Sequence, residues 1–287
     1  MMAVSGCLPA ACSGVFKYRT MRFVLYNIRY ATGPKARNFV RPTGRNLNRI
    51  AGFLSDLQPD LVGLVEVDYG SYRTGRKNQV EQLAESLGHY HSYSTKYGHG
   101  SFWHRIPVLN RQGNAFLARD RIRNETFHFF DQGMKRLVME LELEHMVVYL
   151  VHLSLGGRTR HQQLSALYDL VRKTDRPFLV TGDFNMLWGE QEIDLFLAAT
   201  GLEDANRTGL PTYPSRNPSQ HLDFVLHSKD IKIRNFQVPQ VTFSDHLPLV
   251  VDFDVDVAED HRHGEREPTC FCDDLSDLSA VGFGIRP

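Results

Sequence analysis

Between Cys12 and Cys270 the chain has no cysteine. The four it does contain, Cys7, Cys12, Cys270 and Cys272, lie near the two ends. The body therefore holds no internal disulfide and no thiol nucleophile, which fits a reducing compartment and points to a cytoplasmic protein. Cys270-Phe271-Cys272 has the wrong spacing for half of a zinc site. No stretch approaches the roughly 18 apolar residues of a membrane span, so no transmembrane segment is expected. A Gly-x-Ser-x-Gly elbow is missing, which argues against serine hydrolase chemistry. A nucleotide-binding glycine loop is missing too, because Gly98-His99-Gly100 opens no helix. Net charge is also absent, with 33 basic and 33 acidic residues.

That neutrality conceals an asymmetry. From Asp252 onward there are ten acidic and three basic residues, a balance of −7 that leaves the preceding chain at +7. A mildly basic body suits an anionic partner, but a strong nucleic-acid binder is usually more basic. The richest basic stretch spreads Lys35, Arg37, Arg41, Arg45 and Arg49 through a loop and a helix start. These residues could grip a lipid headgroup or simply be solvated.

The 287 residues, 42% of them hydrophobic, suffice for one large core. Residues 1–20 read as a disordered leader, or as an upstream start before a true start at Met21, since only three residues precede the Val4-Ser5-Gly6-Cys7 box and leave no room for an apolar signal segment. Residues 21–257 read as one catalytic domain, expected to be a monomer. Residues 258–287, acidic and poor in apolar groups, read as a disordered tail.

Within the body, apolar runs predict strands at 22–28, 61–67, 114–119, 124–130, 136–143, 146–153, 178–181, 222–226, 231–236 and 247–255. Helical spacing predicts helices at 43–57, 78–87, 159–171 and 191–199. Residues 89–111 read as a strand and a long loop, rich in aromatics that could pack beneath it or line a substrate platform. This mixture indicates an α/β body with mixed sheets.

Polar residues interrupt the apolar strands at their ends. Asn27, Glu66, His152, Asp183, Asn185, Asp223, Asp245 and His246 all occupy such positions. A carboxylate beside a hydrophobic strand is costly unless it is paired or bound to a cation. Ligand sites gather at strand ends of α/β sheets, so these side chains could converge on one pocket. Asp, Glu and Asn oxygens are hard ligands suited to Mg²⁺, with Mn²⁺ or Ca²⁺ as alternatives. Histidines beside carboxylates suit proton transfer near neutral pH. Together they fit water attack on a phosphate ester.

The ordered blocks Tyr-Asn27-Ile-Arg29, Val-Glu66-Val, Gly-Asn114-Ala-Phe-Leu-Ala-Arg, Val-His152-Leu, Gly-Asp183-Phe-Asn185, Leu-Asp223-Phe-Val-Leu and Ser-Asp245-His246-Leu-Pro resemble the endonuclease/exonuclease/phosphatase superfamily. The resemblance implies a four-layered α/β sandwich, two mixed sheets flanked by helices, with the site where the sheets meet. It implies Glu66 as metal ligand, with Asn27 and Asp245 close by. It implies His246 as general base or water-orienting group, held in the useful tautomer by Asp223. His152 would serve the phosphoryl oxygen or the leaving group, and Asp183 and Asn185 would position water. Asn114, Arg29 and Arg160 are the candidate phosphate contacts. Arg29 and Asp68 stand where abasic-site endonucleases carry an acidic residue and a lysine. The chain is thus more similar to the deoxyribonuclease, sphingomyelinase and inositol phosphatase side. The expected activity is metal-dependent hydrolysis of a lipid-borne or small phosphate ester. The alternatives are a nuclease acting on DNA or RNA, and a non-catalytic phosphate-binding scaffold of the same fold.

Overall fold

The structure, a computed structural model, describes residues 18–35, 42–95, 111–187 and 191–257. The leader before Tyr18, the loop aromatics Tyr97, Phe102 and Trp103, and the acidic tail lie outside the described residues. Two six-stranded sheets form the centre.

The first sheet is built on β1 (Tyr18–Asn27) and β2 (Leu61–Asp68), which run parallel and are joined through helix α1 (Gly44–Leu57). Helix α2 (Gln79–Leu87), β3 (Tyr90–Thr95) and β4 (Gln112–Ala118) follow. The second sheet contains β5 (Asn124–Phe129), β6 (Leu137–Glu142) and β7 (Val147–His152). Helix α3 (Gly157–Val171) then crosses to β8 (Phe178–Asp183), which pairs in parallel with β7. Helix α4 (Gln191–Thr200) and the short β9 (Glu203–Asp204) precede β10 (Asp223–His227). Strands β11 (Ile231–Gln237) and β12 (Leu249–Asp256) return to the first sheet. The strand orders are β11-β12-β1-β2-β4-β3 and β5-β6-β7-β8-β10-β9.

Alternation along each strand explains the layering. Phe23 and Leu25 point into the core between the sheets, where they meet Val148, Leu150 and Phe253. Val24 and Tyr26 point the other way, onto Leu47, Ile50 and Leu54 of α1. In the second sheet Tyr149 and Val151 pack with Leu164 and Leu167 of α3. Each fully buried aliphatic or aromatic side chain contributes about 1.5–3 kcal/mol. The result is the expected four-layered sandwich of helices, sheet, sheet and helices.

Strand β1 begins at Tyr18, earlier than its apolar run indicates, and takes residues 18–20 from the expected leader. Its start is held by the ladder to β12, Tyr18 opposite Asp256, and by Thr20 Oγ1 donating to Asp254 Oδ1 at 2.7 Å. These are backbone and polar contacts, which hydropathy does not register.

The topology sends polar residues to one end of the sandwich. Parallel strands β1, β2, β7 and β8 finish there, at Asn27, Asp68, His152 and Asp183. Their antiparallel neighbours start there: Asp223 opens β10 opposite Asp183, and the loop bearing Asp245 and His246 leads into β12.

Gly182 illustrates how tightly that end is built. Its φ is +143°, and a Cβ placed on it would lie 1.9 Å from the carbonyl oxygen of Val151 on the paired strand. A methyl group there must push β7 and β8 apart beside Asp183. Gly182→Ala is expected to cost at least the roughly 1–3 kcal/mol typical of overpacking. It should lower the midpoint of urea unfolding; an unchanged midpoint would contradict the described strand spacing.

Candidate active site

Asp183 is the centre of the cluster. Its side chain is buried, and Oδ2 accepts a hydrogen bond from Asn27 Nδ2 at 3.0 Å, bridging the two sheets. The same oxygen lies 3.3 Å from His152 Nε2 and 3.8 Å from His246 Nε2. Oδ1 accepts from the Asn185 backbone N–H at 3.0 Å. Burial pushes the carboxyl pKa up, but His246, His152 and Lys135 outweigh it and hold Asp183 well below the usual carboxylate range.

Asp223 and His246 form a dyad, with His246 Nδ1 and Asp223 Oδ2 2.8 Å apart. Thr212 Oγ1 donates to the same carboxylate oxygen at 2.6 Å. The Tyr213 ring lies against the imidazole, with centroids 4.9 Å apart. Burial alone would lower the imidazole pKa, but Asp223, Asp183 and Asp245 overrule it and push it up to about 10. The surrounding carboxylates thus favour the protonated imidazole.

Glu66 reaches the site through an irregularity of β2. Pairing with β4 shifts register between Leu64 and Val67, and Glu66 adopts φ +59°. A bulge of this kind re-aims a side chain at a sheet's end. Glu66 Oε1 lies 4.0 Å from His152 Nε2. Its backbone N–H donates to Asn114 Oδ1 at 3.4 Å, while the buried Asn114 Nδ2 has no hydrogen-bond partner among the described residues.

Arg29 begins a short turn in which Arg29, Tyr30 and Ala31 all have positive φ, at +45°, +55° and +56°. Each such non-glycine residue costs roughly 1–2 kcal/mol. The turn sets Arg29 Nε 3.3 Å from Asp245 Oδ2, while the Arg29 backbone N–H donates to Asn27 Oδ1 at 3.1 Å. Burial raises the Asp245 pKa against the pull of His246 and Arg29, and nearby Glu66 adds to the rise.

Arg160 is placed differently from its expected phosphate contact. Its guanidinium is buried and occupied by Glu192, at 2.6 Å, and by the carbonyls of Leu155 and Asn185, each at 2.9 Å. It braces the loop carrying Asn185, whose amide in turn donates to Leu153 O at 2.8 Å. The other ten candidates gather around Asp183 and Asp245.

Sequence reasoning missed Lys135, Thr212 and Tyr213. Lys135 Nζ contacts His152 Nε2, and Gln163 Nε2 holds the Lys135 carbonyl at 2.7 Å. A lysine in a polar turn between strands looks like any solvated charge. Thr212 and Tyr213 follow a loop proline, with no apolar run to mark them. The ligand atoms of Asp183, Asp223 and His246 lie within 4.8 Å of one another, a grouping able to hold an ion. No helix among the described residues is long and apolar enough to cross a membrane.

Comparison with known proteins bears on the fold and the family. A UPF0294 protein of Vibrio parahaemolyticus is 31% identical over 110 residues, 37% of this chain and 38% of that protein. The match thus spans well under half of the curated relative. An endonuclease/exonuclease/phosphatase family protein from Bacteroides thetaiotaomicron superposes with TM-score 0.68 and 16% identity, covering 87% of this chain and all of the other. A mannosyl-6-phosphatase from the same species superposes with TM-score 0.65 and 16% identity, covering 81% of this chain and 99% of its own. These likenesses show a shared fold. The model of the Endonuclease/Exonuclease/phosphatase family matches residues 24–246, from within β1 to His246, and the chain belongs to that family.

Proposed function

We propose that the protein is a divalent-metal-dependent phosphoesterase acting on a small or lipid-borne phosphate ester. The observation that carries this reading is Asp183 Oδ2, shared by Asn27 and the Asp223-bound His246 from the side of the first sheet and by His152 from the second. A structural salt bridge does not need two histidines converging on one carboxylate oxygen.

The residues present fit a hard cation. Glu66 and Asp245 are close enough for Glu66 to raise the Asp245 pKa, a repulsion between oxygen donors that a divalent ion relieves. Asn27 Oδ1, which accepts from the backbone N–H of the Arg29 that pairs with Asp245, is a further neutral oxygen donor. Asp223 is a poorer ligand, because binding there would sacrifice its bond to His246. A bound Mg²⁺ or similar ion supplies Lewis-acid stabilisation of charge on the phosphoryl oxygens.

The side chains divide the remaining work. Water adds to phosphorus and the ester P–O bond breaks, so one proton leaves the water and one reaches the departing oxygen. Asp183 and Asn185 orient the water, and Asp183 Oδ2 takes its proton. His152 Nε2, on that same oxygen and beside Lys135, returns a proton to the leaving group. His246, whose neighbouring carboxylates favour its protonated form, donates from Nε2 to a phosphoryl oxygen; the resemblance alone implies a general base or a water-orienting group at this position. Asn114 Nδ2 is an unspent donor for a second phosphoryl oxygen. Arg29 adds charge at the rim.

The test is hydrolysis of bis-p-nitrophenyl phosphate and p-nitrophenyl phosphate by metal-stripped protein, with Mg²⁺, Mn²⁺ or Ca²⁺ restored in turn. Plasmid DNA, RNA, sphingomyelin and inositol phosphates complete the screen. Chelation should abolish turnover, and Glu66→Gln should weaken metal binding by calorimetry and reduce the rate by about 10²-fold or more. Full turnover in excess chelator would refute the metal role. Cleavage of plasmid alone would redirect the assignment to a nuclease.

A further inference from the structure

We propose that a cleft beside the active site, walled by Arg45 and Arg49, binds a second anionic group of the substrate. The substrate would thus be a phosphate ester with a further phosphate or carboxylate away from the scissile phosphorus. This rests on the phosphoesterase reading above and narrows it.

The cleft has a volume of about 460 Å³ and is lined by Thr32, Gly33, Arg45, Asn46, Arg49 and Thr242, among others. It adjoins the turn that follows Arg29 and the loop that carries Asp245. Arg29, paired with Asp245, also donates through Nη1 to the Gly33 carbonyl at 3.3 Å. Thr242 lies three residues before Asp245 on the loop that delivers Asp245 and His246. Asn46 Nδ2 donates to Ala31 O at 3.1 Å and to Phe243 O at 2.7 Å, fastening α1 to both loops. A ligand in the cleft therefore lies next to the segments that hold the reacting groups.

Its charge is one-sided. Among the described residues no carboxylate lines it. Three other surface clefts of similar size each set an acid beside their arginines: Glu125 in one, Asp120 and Glu144 in another, Asp60 and Asp252 in the third. Arg45 and Arg49 are four residues apart on α1, so they face the same side and repel each other. Neither has an acidic partner among the described residues. Arg49 is also held in place, with its guanidinium carbon 4.6 Å from the centre of the Phe243 ring. A planar, always-charged donor fixed on an aromatic face suits a phosphate or carboxylate, which takes two of its N–H groups at once. The strained turn from Arg29 to Ala31 forms the boundary between this cleft and the catalytic cluster.

The experiment compares equilibrium binding of glucose 6-phosphate, 6-phosphogluconate and fructose 1,6-bisphosphate by calorimetry. The full chain carries His246→Ala, so that no turnover intrudes. With Arg45 and Arg49 intact, at least one doubly anionic ligand should bind roughly tenfold to a hundredfold tighter than glucose 6-phosphate, as expected for two charge-assisted contacts. 6-Phosphogluconate matching the bisphosphate would assign a carboxylate; the bisphosphate alone would assign a phosphate. Adding R45Q and R49Q should erase the preference while leaving glucose 6-phosphate binding and the thermal melting profile unchanged. No preference in the parent, or one that survives both substitutions, overturns the proposal. Failure of the phosphoesterase reading would show separately, as a lack of turnover by the unsubstituted chain on every ester while the binding difference persists.

Discussion

His246→Ala should reduce phosphodiester turnover by about 10²–10⁴-fold in the presence of saturating Mg²⁺, the usual cost of removing an oriented proton donor or acceptor. The imidazole is fixed on three sides, by Asp223 at 2.8 Å, by the Tyr213 ring and by the Asp183 oxygen at 3.8 Å. Its deletion also strands Asp223, a buried carboxylate that would keep only the Thr212 hydroxyl on Oδ2. Some loss of stability is therefore expected along with the loss of rate. His246→Gln separates the two effects, since the amide restores a donor to Asp223 without a transferable proton. Near-normal turnover in either variant, with native circular dichroism, would remove His246 from the chemistry.

Arg73→Leu should destabilise the fold by about 3–5 kcal/mol, the cost of breaking a buried ion pair from one side. Asp68 and Arg73 are fully buried and 2.7 Å apart. Asp68 also accepts from the Ser71 backbone N–H at 2.8 Å and the Ser71 hydroxyl at 2.6 Å. Those two bonds cannot neutralise the carboxylate once the guanidinium is gone. For a body of this size, the melting temperature should fall by on the order of 10 °C. The double change Asp68→Leu, Arg73→Met should recover much of the loss, because no lone charge remains to be desolvated. A single variant that melts like the parent would mean that water reaches Asp68.

The pair also shows where sequence reading stopped. Asp68 was legible as a departure from the abasic-site endonuclease pattern, but nothing local announced that Arg73 would close on it. The guanidinium lies over the Tyr30 ring at 4.9 Å, and Gln79 donates to the Tyr30 carbonyl at 2.8 Å, so the partners come from three separate segments. Strands and helices were legible because their apolar periods are local, down to Asn78 and Gly88 at the ends of α2. The carboxylates and histidines of the site were legible because a polar residue ending an apolar strand stands out. Lys135, Thr212 and the bulge at Glu66 were not, because a turn lysine, a loop hydroxyl and a register shift leave no periodic trace. Arg160 was misjudged for a related reason. A helix-borne arginine looks solvated until the loops that surround it are known.

The bond from Asn27 to Asp183 joins two sheets that share no backbone hydrogen bonds. Asn27, Glu66, Asn114 and Asp245 belong to one half of the molecule, and His152, Asp183 and Asp223 to the other. Either half could keep its strands paired while the interface between them loosened. In such a state far-ultraviolet circular dichroism would barely change, yet the reacting groups would have moved out of register by ångströms. If the proposed hydrolysis is the activity, its rate would gauge how firmly the halves are docked. During gentle heating or mild denaturant it should fail before secondary structure does.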